Sequence, residues 1–243
     1  MSLIVPLRRM RHGNAFRATS LRLPQSVKSP FIGVDHAWMS GPVFPPHQHA
    51  ELSAVSYVFL DSEAGISNRD SLGTNNFIAP GGIHWTAAGK GIVHEEVPAE
   101  AGRTVHSLQI FVGLPERKRS MPPAALSLEA ADVPVAYAEG CKIRVPVGRF
   151  GDVQSPLLPP TNVTILDISL ERGAEIEIPV PCGESAFIMP VFGSTRVNGE
   201  AFNHNDMKVP LFTEKNANRS IRVEAPIEGG KVMFFSGLPL NLQ

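Results

Sequence analysis

The chain has few of the residues that mark several broad classes of protein. Only two cysteines occur among its 243 residues, Cys141 and Cys182, and they lack the CxxC spacing of a metal-binding or redox motif. Two cysteines are too few for a disulfide framework, so we expect both thiols to be reduced and unpaired in a cytoplasmic protein. No apolar run approaches the roughly 20 residues that a membrane-spanning helix requires, which predicts a protein without a membrane partner.

Net charge is also nearly absent. The chain carries 22 lysines and arginines against 23 aspartates and glutamates, so it has no broad positive field for nucleic acid, and we expect no direct nucleic-acid partner. One local excess lies near the N-terminus, where five arginines fall between residues 8 and 22. They have no apolar signal core beside them, which favours a solvated arm over a targeting segment.

Long stretches with the 3.6-residue period of a helix are missing as well. Short runs of alternating apolar residues take their place, most clearly over residues 175–180. Glycine- or proline-containing turns separate the runs, and one of them is predicted at Asn198-Gly199. Residues 124–131 are the exception and predict a helix of about two turns that connects two halves of the chain. The pattern predicts an all-β fold.

A weak internal repeat indicates two halves. Residues 55–73 and 185–199 both read as a strand, a tight turn and a returning strand. The stretch 115–123, which holds three prolines and four charged residues, is the natural boundary between them. We therefore predict an N-terminal domain over residues 1–120 and a C-terminal domain over residues 121–243.

Two doublets of metal-binding residue types carry the chemical signal. His47 and His49 are two residues apart, and so are His94 and Glu96. On a β-strand, residues i and i+2 point to the same side, so each doublet shares one face. If the two strands oppose each other in a barrel, three imidazoles and one carboxylate converge, a set that suits a divalent first-row transition metal.

Four motifs in order give the chain a family resemblance. They are Phe-Pro-Pro-His-Gln-His at 44–49, Arg-Asp-Ser-Leu-Gly at 69–73, the stretch 78–96 that ends in Val-His-Glu-Glu, and His-Ser-Leu-Gln-Ile-Phe-Val-Gly-Leu-Pro at 106–115. With these residues the chain resembles the pirin family, most specifically over residues 30–115. Its ending at Gln243 is similar to that of a short, bacterial-type member.

The resemblance implies a pirin-like bicupin, with two tandem cupin barrels of the double-stranded β-helix type. It implies one divalent transition metal in the N-terminal barrel, with Fe(II) as the first expectation. The ligands that it implies are His47, His49, His94 and Glu96. The donor set of three nitrogens and one oxygen also admits Mn, Ni, Cu or Zn. Glu96 and Glu51 are the candidate catalytic carboxylates, because Glu51 would continue the face of His49.

Two functions remain open under this resemblance. One is a quercetin 2,3-dioxygenase-like oxidoreductase, which would use a flavonol or another small hydroxylated aromatic as its substrate. The other is a non-catalytic metal- or redox-sensing regulator that binds a protein partner. The family's usual Arg-Gly-x-Glu after the His-x-His is replaced by residues 50–53, Ala-Glu-Leu-Ser, which alters the expected surroundings of the metal.

The other histidines carry a weaker signal. His84 follows a Pro-Gly-Gly turn and is more typical of a satisfied core or surface histidine than of a ligand. His36 and His106 have no matching residue at i+2. The second half holds a single histidine, His204, so we predict a metal-free C-terminal barrel. Separately, we expect the whole chain to be a monomer.

Overall fold

The computed structural model describes residues 2–24 and 26–243, and it contains 24 β-strands and two short 3-10 helices there. The first twelve strands are β1 (Leu3–Pro6), β2 (Arg8–His12), β3 (Phe16–Arg22), β4 (Phe31–Met39), β5 (His47–His49), β6 (Leu52–Val58), β7 (Ile66–Asp70), β8 (Asn75–Ile78), β9 (Ile83–Ala87), β10 (Ile92–Pro98), β11 (Val105–Gly113) and β12 (Ala124–Leu128). The other twelve are β13 (Val135–Ala138), β14 (Cys141–Val147), β15 (Arg149–Phe150), β16 (Val153–Gln154), β17 (Val163–Leu170), β18 (Glu175–Val180), β19 (Ser185–Phe192), β20 (Ser194–Val197), β21 (Glu200–Asn203), β22 (Lys208–Phe212), β23 (Arg219–Glu224) and β24 (Gly230–Gly237). The 3-10 helices are Glu116–Lys118 and Leu240–Leu242.

These strands form two cupin barrels, as predicted. The first barrel combines a seven-stranded sheet, in the order β12-β9-β6-β11-β4-β3-β2, with a four-stranded sheet, in the order β5-β10-β7-β8. The second combines a seven-stranded sheet, β1-β22-β19-β24-β17-β14-β13, with a four-stranded sheet, β18-β23-β20-β21. Every pairing is antiparallel, so short turns can connect neighbouring strands.

Strands cross the predicted domain boundary in both directions. The N-terminal strand β1 pairs with β22 of the second barrel, in the register Leu3 to Leu211. The strand β12, which follows residue 120, pairs with β9 of the first barrel. A single cut between residues 120 and 121 therefore separates each barrel from one of its edge strands.

The helix predicted over residues 124–131 is wrong. Ala124–Leu128 is the edge strand β12, and Leu126 and Leu128 pack against the core that both barrels share. An isolated helix of two turns is unstable in water, whereas the edge of β9 offers a row of unpaired backbone groups. The predicted Asn198-Gly199 turn is present: both residues have positive φ, 49° and 84°, and they join β20 to β21.

The two seven-stranded sheets face each other and bury the largest apolar cluster of the molecule between them. Phe31, Val55 and Ile110 from the first barrel meet Phe187 and Phe235 from the second. The rings of Phe187 and Phe235 are stacked with centroids 4.5 Å apart. The barrels therefore form one packed body.

A buried polar bridge crosses the same interface. The hydroxyl of Tyr57 in β6 donates to Oδ2 of Asp167 in β17 at 2.7 Å, and Nζ of Lys231 lies 3.0 Å from Oδ1 of the same carboxylate. A buried charge is tolerated where it is paired and hydrogen-bonded. This bridge adds a specific polar contact beside the apolar cluster of the interface.

No helix among residues 2–24 and 26–243 combines the length and the apolar character that crossing a bilayer would require. The five N-terminal arginines do not form an arm, because all of them lie in strands β2 and β3. Cys141 is buried, Cys182 is exposed, and both thiols are free.

Candidate metal centre

Three histidines converge on two neighbouring strands of the first barrel. Strands β5 and β10 are hydrogen-bonded to each other rather than placed on opposite walls, and His94 lies directly across from His47 in their register. His49 lies two residues along β5 on the same face. The three ring centroids are 4.8, 4.8 and 4.9 Å apart, and one ligand nitrogen of each lies within 4.8 Å of the others.

The loop before β10 sets its position. Gly89 has a φ of +51°, and a Cβ there would meet the carbonyl oxygen of Met121 at 2.1 Å. Only glycine fits this close approach. The backbone carbonyl of Gly89 in turn accepts from the amide of Glu51 at 2.8 Å, so the loop ties the end of β5 to the start of β10.

Hydrogen bonding orients one of the imidazoles. Nδ1 of His47 lies 3.0 Å from the carbonyl oxygen of Pro45. A carbonyl can only accept, so this nitrogen carries the proton, and Nε2 keeps its lone pair. Ligating histidines in metal sites are commonly fixed in this way.

Burial keeps the other two imidazoles neutral. Burial first, and then the neighbouring rings of His49 and His47, lowers the pKa of His94 to about 3. Burial and His47 lower the pKa of His49 to about 4. Both rings therefore offer unprotonated nitrogens at pH 7. A metal needs ligands in that state.

Glu96 borders the same cavity but is not a member of the close three-histidine group. Its carboxylate accepts from the hydroxyl of Ser56 at 2.6 Å. Burial raises the pKa of Glu96 to about 7, although the Ser56 hydrogen bond opposes this shift. Glu96 is thus a carboxyl group that can take or give a proton near neutral pH.

The histidines and Glu96 border a cavity of about 180 Å³ inside the first barrel. Its walls are mainly apolar, and its most prominent members are Phe16, Phe44 and Phe111. Phe44 meets Phe16 edge to face at 5.0 Å between centroids. The site therefore combines a few convergent polar groups with aromatic walls, which is typical of a small-molecule site.

Glu51 lies elsewhere. Strand β5 ends at His49, and the backbone reverses through Glu51, which has a φ of +63°. This turn breaks the alternation on which the predicted position of Glu51 depended. Its side chain is exposed and lies beside Lys90 and Arg119, outside the histidine cavity.

His84 is a satisfied core histidine, as its sequence context favoured. It is fully buried, and its Nδ1 lies 2.8 Å from the hydroxyl of Ser127. Asn68 reaches the other ring nitrogen at 3.3 Å. This pairing accounts for both nitrogens without a metal.

The polar side chains that support the site were missed at the level of sequence. Ser56 bonds Glu96, and Asp35 borders the cavity while Arg22 holds its two oxygens at 2.6 and 2.9 Å. Gln109 also borders the cavity. The available signal was a polar residue at alternate positions of otherwise apolar strands, as in residues 107–111. Without the strand register it could not be assigned to the barrel interior.

Two family profiles match the chain. The Pirin profile matches residues 12–112, and the Pirin C-terminal cupin domain profile matches residues 165–243. The chain belongs to the pirin family. His47, His49, His94 and Glu96 all lie within the first matched range.

Sequence relatives agree with this assignment. A "Putative quercetin 2,3-dioxygenase" of Pseudomonas aeruginosa is 30% identical over 207 residues, which cover 82% of this chain and 70% of that protein. Pirin-like protein 2 of Arabidopsis thaliana is 32% identical over 72% of this chain and 53% of its own length. The chain thus spans about half of the length of that plant relative.

Solved structures share the fold. The crystal structure of GK1651 from Geobacillus kaustophilus superposes with a TM-score of 0.89 at 25% identity, over 98% of this chain and 96% of that one. The bacterial pirin YhhW from Escherichia coli, in complex with nickel(II), gives a TM-score of 0.74 at 16% identity, over 98% of this chain and all of that one. At that identity the second likeness speaks for the fold alone.

Proposed function

We propose that the first barrel binds one divalent transition ion and that the chain is a metal-dependent dioxygenase acting on a small hydroxylated aromatic. His47, His49 and His94 would hold the ion, with Glu96 as the fourth ligand. The observation that carries the proposal is the convergence of three imidazoles on an aromatic-walled cavity. Fe(II) is the ion we expect first, although a donor set of three nitrogens and one oxygen accepts several divalent metals.

The residues fit such an ion. Nδ1 of His94 is buried and has no hydrogen-bond partner among the residues that the structure describes. A buried nitrogen without a partner costs free energy, and a bound cation would remove that cost. Such an ion supplies Lewis acidity toward a substrate hydroxyl and electron-transfer chemistry toward dioxygen.

The protein side of the reaction is binding, orientation and proton transfer. The rings of Phe16, Phe44 and Phe111 would pack against a flat substrate and exclude water from its reacting edge. Glu96, which borders the same cavity, would take the proton of the incoming hydroxyl. Ser56 would hold the carboxylate in place through its hydrogen bond.

The volume of the cavity limits the size of the substrate. Sites for drug-sized ligands typically enclose about 300–1,000 Å³, whereas this cavity encloses about 180 Å³. A single aromatic ring with two adjacent oxygens suits that volume. A three-ring flavonol requires Phe44, at the exposed end of the cavity, to move outward.

The same cavity favours catalysis over the metal-sensing alternative. A sensor needs the state of its metal to alter an exposed surface that a partner can read. Here the most buried of the three histidines, His94, and the carboxylate of Glu96 face the cavity, and of the three histidines only His47 is exposed. This arrangement supports a small-molecule substrate.

The test is oxygen uptake by iron-loaded protein with catechols and flavonols, after the metal content has been measured. We expect wild-type protein to consume oxygen, and Glu96→Gln to lose at least ten-fold in rate, by analogy with the ~10²–10⁴-fold contribution of a positioned general base. Glu95→Gln is the matched control, because Glu95 pairs with Arg69 on the outer face of β10. Equal rates for wild type and Glu96→Gln at equal metal content would overturn the proposal.

A further inference from the structure

A second and larger cavity lies between the two barrels. It encloses about 830 Å³ and is bordered by strands of the first barrel and by the 203–207 and 229–231 segments of the second. It lies on the outer face of the seven-stranded sheet of the first barrel, whose inner face borders the metal cavity. In β4, Asp35 and Ala37 border the metal cavity, whereas His36 and Trp38 border this cleft.

Arginines without partners border the cleft. Arg9 and Arg11 in β2 and Arg17 in β3 have no carboxylate within 4.0 Å in the part of the chain that the structure describes. Arg11 and Arg17 are directly opposite in the strand register. Like charges in that arrangement repel and destabilise the pair. Arg22, on the other face of β3, has a bidentate partner in Asp35.

Arg17 is held in position although it lacks a carboxylate. Its guanidinium lies 4.0 Å from the centre of the Trp38 ring. The ring of His106 stacks on Trp38 at 5.0 Å with an angle of 6°. A cation fixed on an aromatic face needs little reorganisation to bind an anion.

The acidic groups near the cleft are already engaged. Asp61, the one carboxylate that borders it in the described part of the chain, lies 3.1 Å from Nδ1 of His106. Nε2 of His106 lies 2.7 Å from Nε2 of His36. If His106 donates to Asp61, then His36 donates to His106. This series of hydrogen bonds engages Asp61 and leaves no acidic side chain among the described cleft residues for the arginines. Lys231 is likewise occupied by Asp167.

The same cleft exposes apolar side chains. Phe192 is 59% exposed and Leu60 is 45% exposed, and both border it. Met10 borders both this cleft and the metal cavity. The cleft volume lies within the ~300–1,000 Å³ of small-molecule sites. A ligand that fits both features has an acidic group for the arginines and an apolar body for Phe192.

We propose that the inter-barrel cleft is a second binding site, which takes a small amphiphilic organic anion, a carboxylate on an aromatic body. Arg11 and Arg17 bind the carboxylate, and Phe192 and Leu60 contact the body. The site does not use the metal, because the four candidate metal ligands border the other cavity and not this cleft. Binding of an anion between Arg11 and Arg17 also removes their mutual repulsion.

The test is calorimetric titration of the full chain with 1-naphthoate as the probe. Two further titrations separate the two features: 1-naphthalenemethanol has the same body without the charge, and inorganic phosphate has the charge without the body. We expect naphthoate to bind at least ten-fold more tightly than either. Equal affinity for the neutral alcohol would overturn the role of the arginines, and equal affinity for phosphate would overturn the role of the apolar body.

Single substitutions locate the site. Arg17→Gln should weaken naphthoate binding about ten-fold, the usual scale for losing one hydrogen bond to a charged group. Phe192→Ala should weaken naphthoate binding several-fold. Arg149→Gln is the matched control, because Arg149 bonds only to Gly151 of its own turn, and it should leave affinity unchanged.

Two more variants separate this site from the metal cavity and from a structural role. His94→Ala should leave naphthoate affinity unchanged, and loss of binding in that variant would assign the probe to the metal cavity and overturn the proposal. Arg11→Gln should weaken binding and yet raise the Tm of the free protein, because it removes the repulsion of Arg17. Unchanged naphthoate affinity in both Arg11→Gln and Arg17→Gln would also overturn it.

Discussion

The two barrels share an architecture and differ in what fills them. The interior of the second is packed with apolar side chains, among them Ile143, Ile178, Ile188, Ile221 and Phe234. The corresponding cluster inside the first contains five residues and lies at one end, formed by Val58, Ala64, Ile66, Ile78 and Val105. The remaining space of the first barrel holds the histidine cavity.

The second barrel contributes more apolar packing to stability, whereas the first barrel holds the candidate site. Inward positions in β18 and β23 of the second barrel are isoleucine and valine. Inward positions in β5 and β10 of the first barrel are His47, His49, His94 and Glu96. Buried polar groups contribute less to stability than apolar ones unless they are fully paired. The packed core of the second barrel and the interface between the barrels therefore stabilise the first barrel, whose interior holds a cavity.

The largest expected effect concerns core packing. Phe234→Ala in the second barrel should lower the free energy of unfolding by about 3–5 kcal/mol, because it opens a cavity in a filled core. Phe111→Ala in the first barrel should cost only about 1–2 kcal/mol, since Phe111 is partly exposed and already borders a cavity. Urea unfolding monitored by circular dichroism measures both. Equal losses would show that the first barrel is as tightly packed as the second.

The next effect is a dependence of stability on pH that comes from the first barrel. Burial first, followed by His106, Arg17 and His204, lowers the pKa of His36 to about 3. Below pH 6.5 the unfolded chain binds a proton at this position and the folded chain does not. Stability is therefore lost as pH falls from 6.5 toward 3, by about 2 kcal/mol at pH 5 for this group.

The measurement for His36 is urea unfolding at pH 7.5 and pH 5. His36→Gln should lose less stability between these two values than wild type does, whatever its absolute stability. A slope that is the same in both proteins would exclude His36 as a source of the dependence. The histidines whose pKa is lowered by burial all lie in strands of the first barrel. They are His36, His49, His84, His94 and His106.

A smaller effect concerns the opening of the hollow barrel. Phe44→Ala should enlarge the cavity at its exposed end and raise the rate with a flavonol relative to a catechol by roughly 3–10-fold, the scale of a modest change in pocket shape. Oxygen uptake with both compounds checks this ratio. Phe192→Ala, which changes an exposed ring outside the metal cavity, is the control. An unchanged ratio in Phe44→Ala would show that Phe44 does not limit substrate size.

The smallest effect is expected at Glu51. Because the chain turns at this residue and the side chain is exposed outside the cavity, Glu51→Gln should leave metal content and oxygen uptake within about twofold of wild type, as surface changes away from a site usually do. A loss comparable to that of Glu96→Gln would restore Glu51 as a catalytic group.

Much of the fold was predictable because it depends on local patterns. The alternation in residues 175–180 predicted a half-buried strand, and Ile176, Ile178 and Val180 are buried. The Asn198-Gly199 pair predicted its turn. The doublet at His47 and His49 predicted a shared face because side chains alternate along any strand.

The rest depended on register and on tertiary contacts that no local pattern contains. Glu51 was placed on the face of His49, but strand β5 ends at His49. Ala124–Leu128 has helix-forming residues, and the free edge of β9 decides its conformation. The pairing of His106 with Trp38 across β11 and β4 brings His106 to His36 and Trp38, although His106 lies far from these two residues in the sequence.

Metal content measures the contrast between the barrels most directly. Elemental analysis of purified wild-type protein should give one transition ion per chain, and His204→Ala, in the second barrel, should retain it. The double variant His47→Ala, His94→Ala should lose nearly all of it while circular dichroism shows an intact fold. Full metal content in the double variant, or its loss in His204→Ala, would contradict the assignment of the ion to the first barrel.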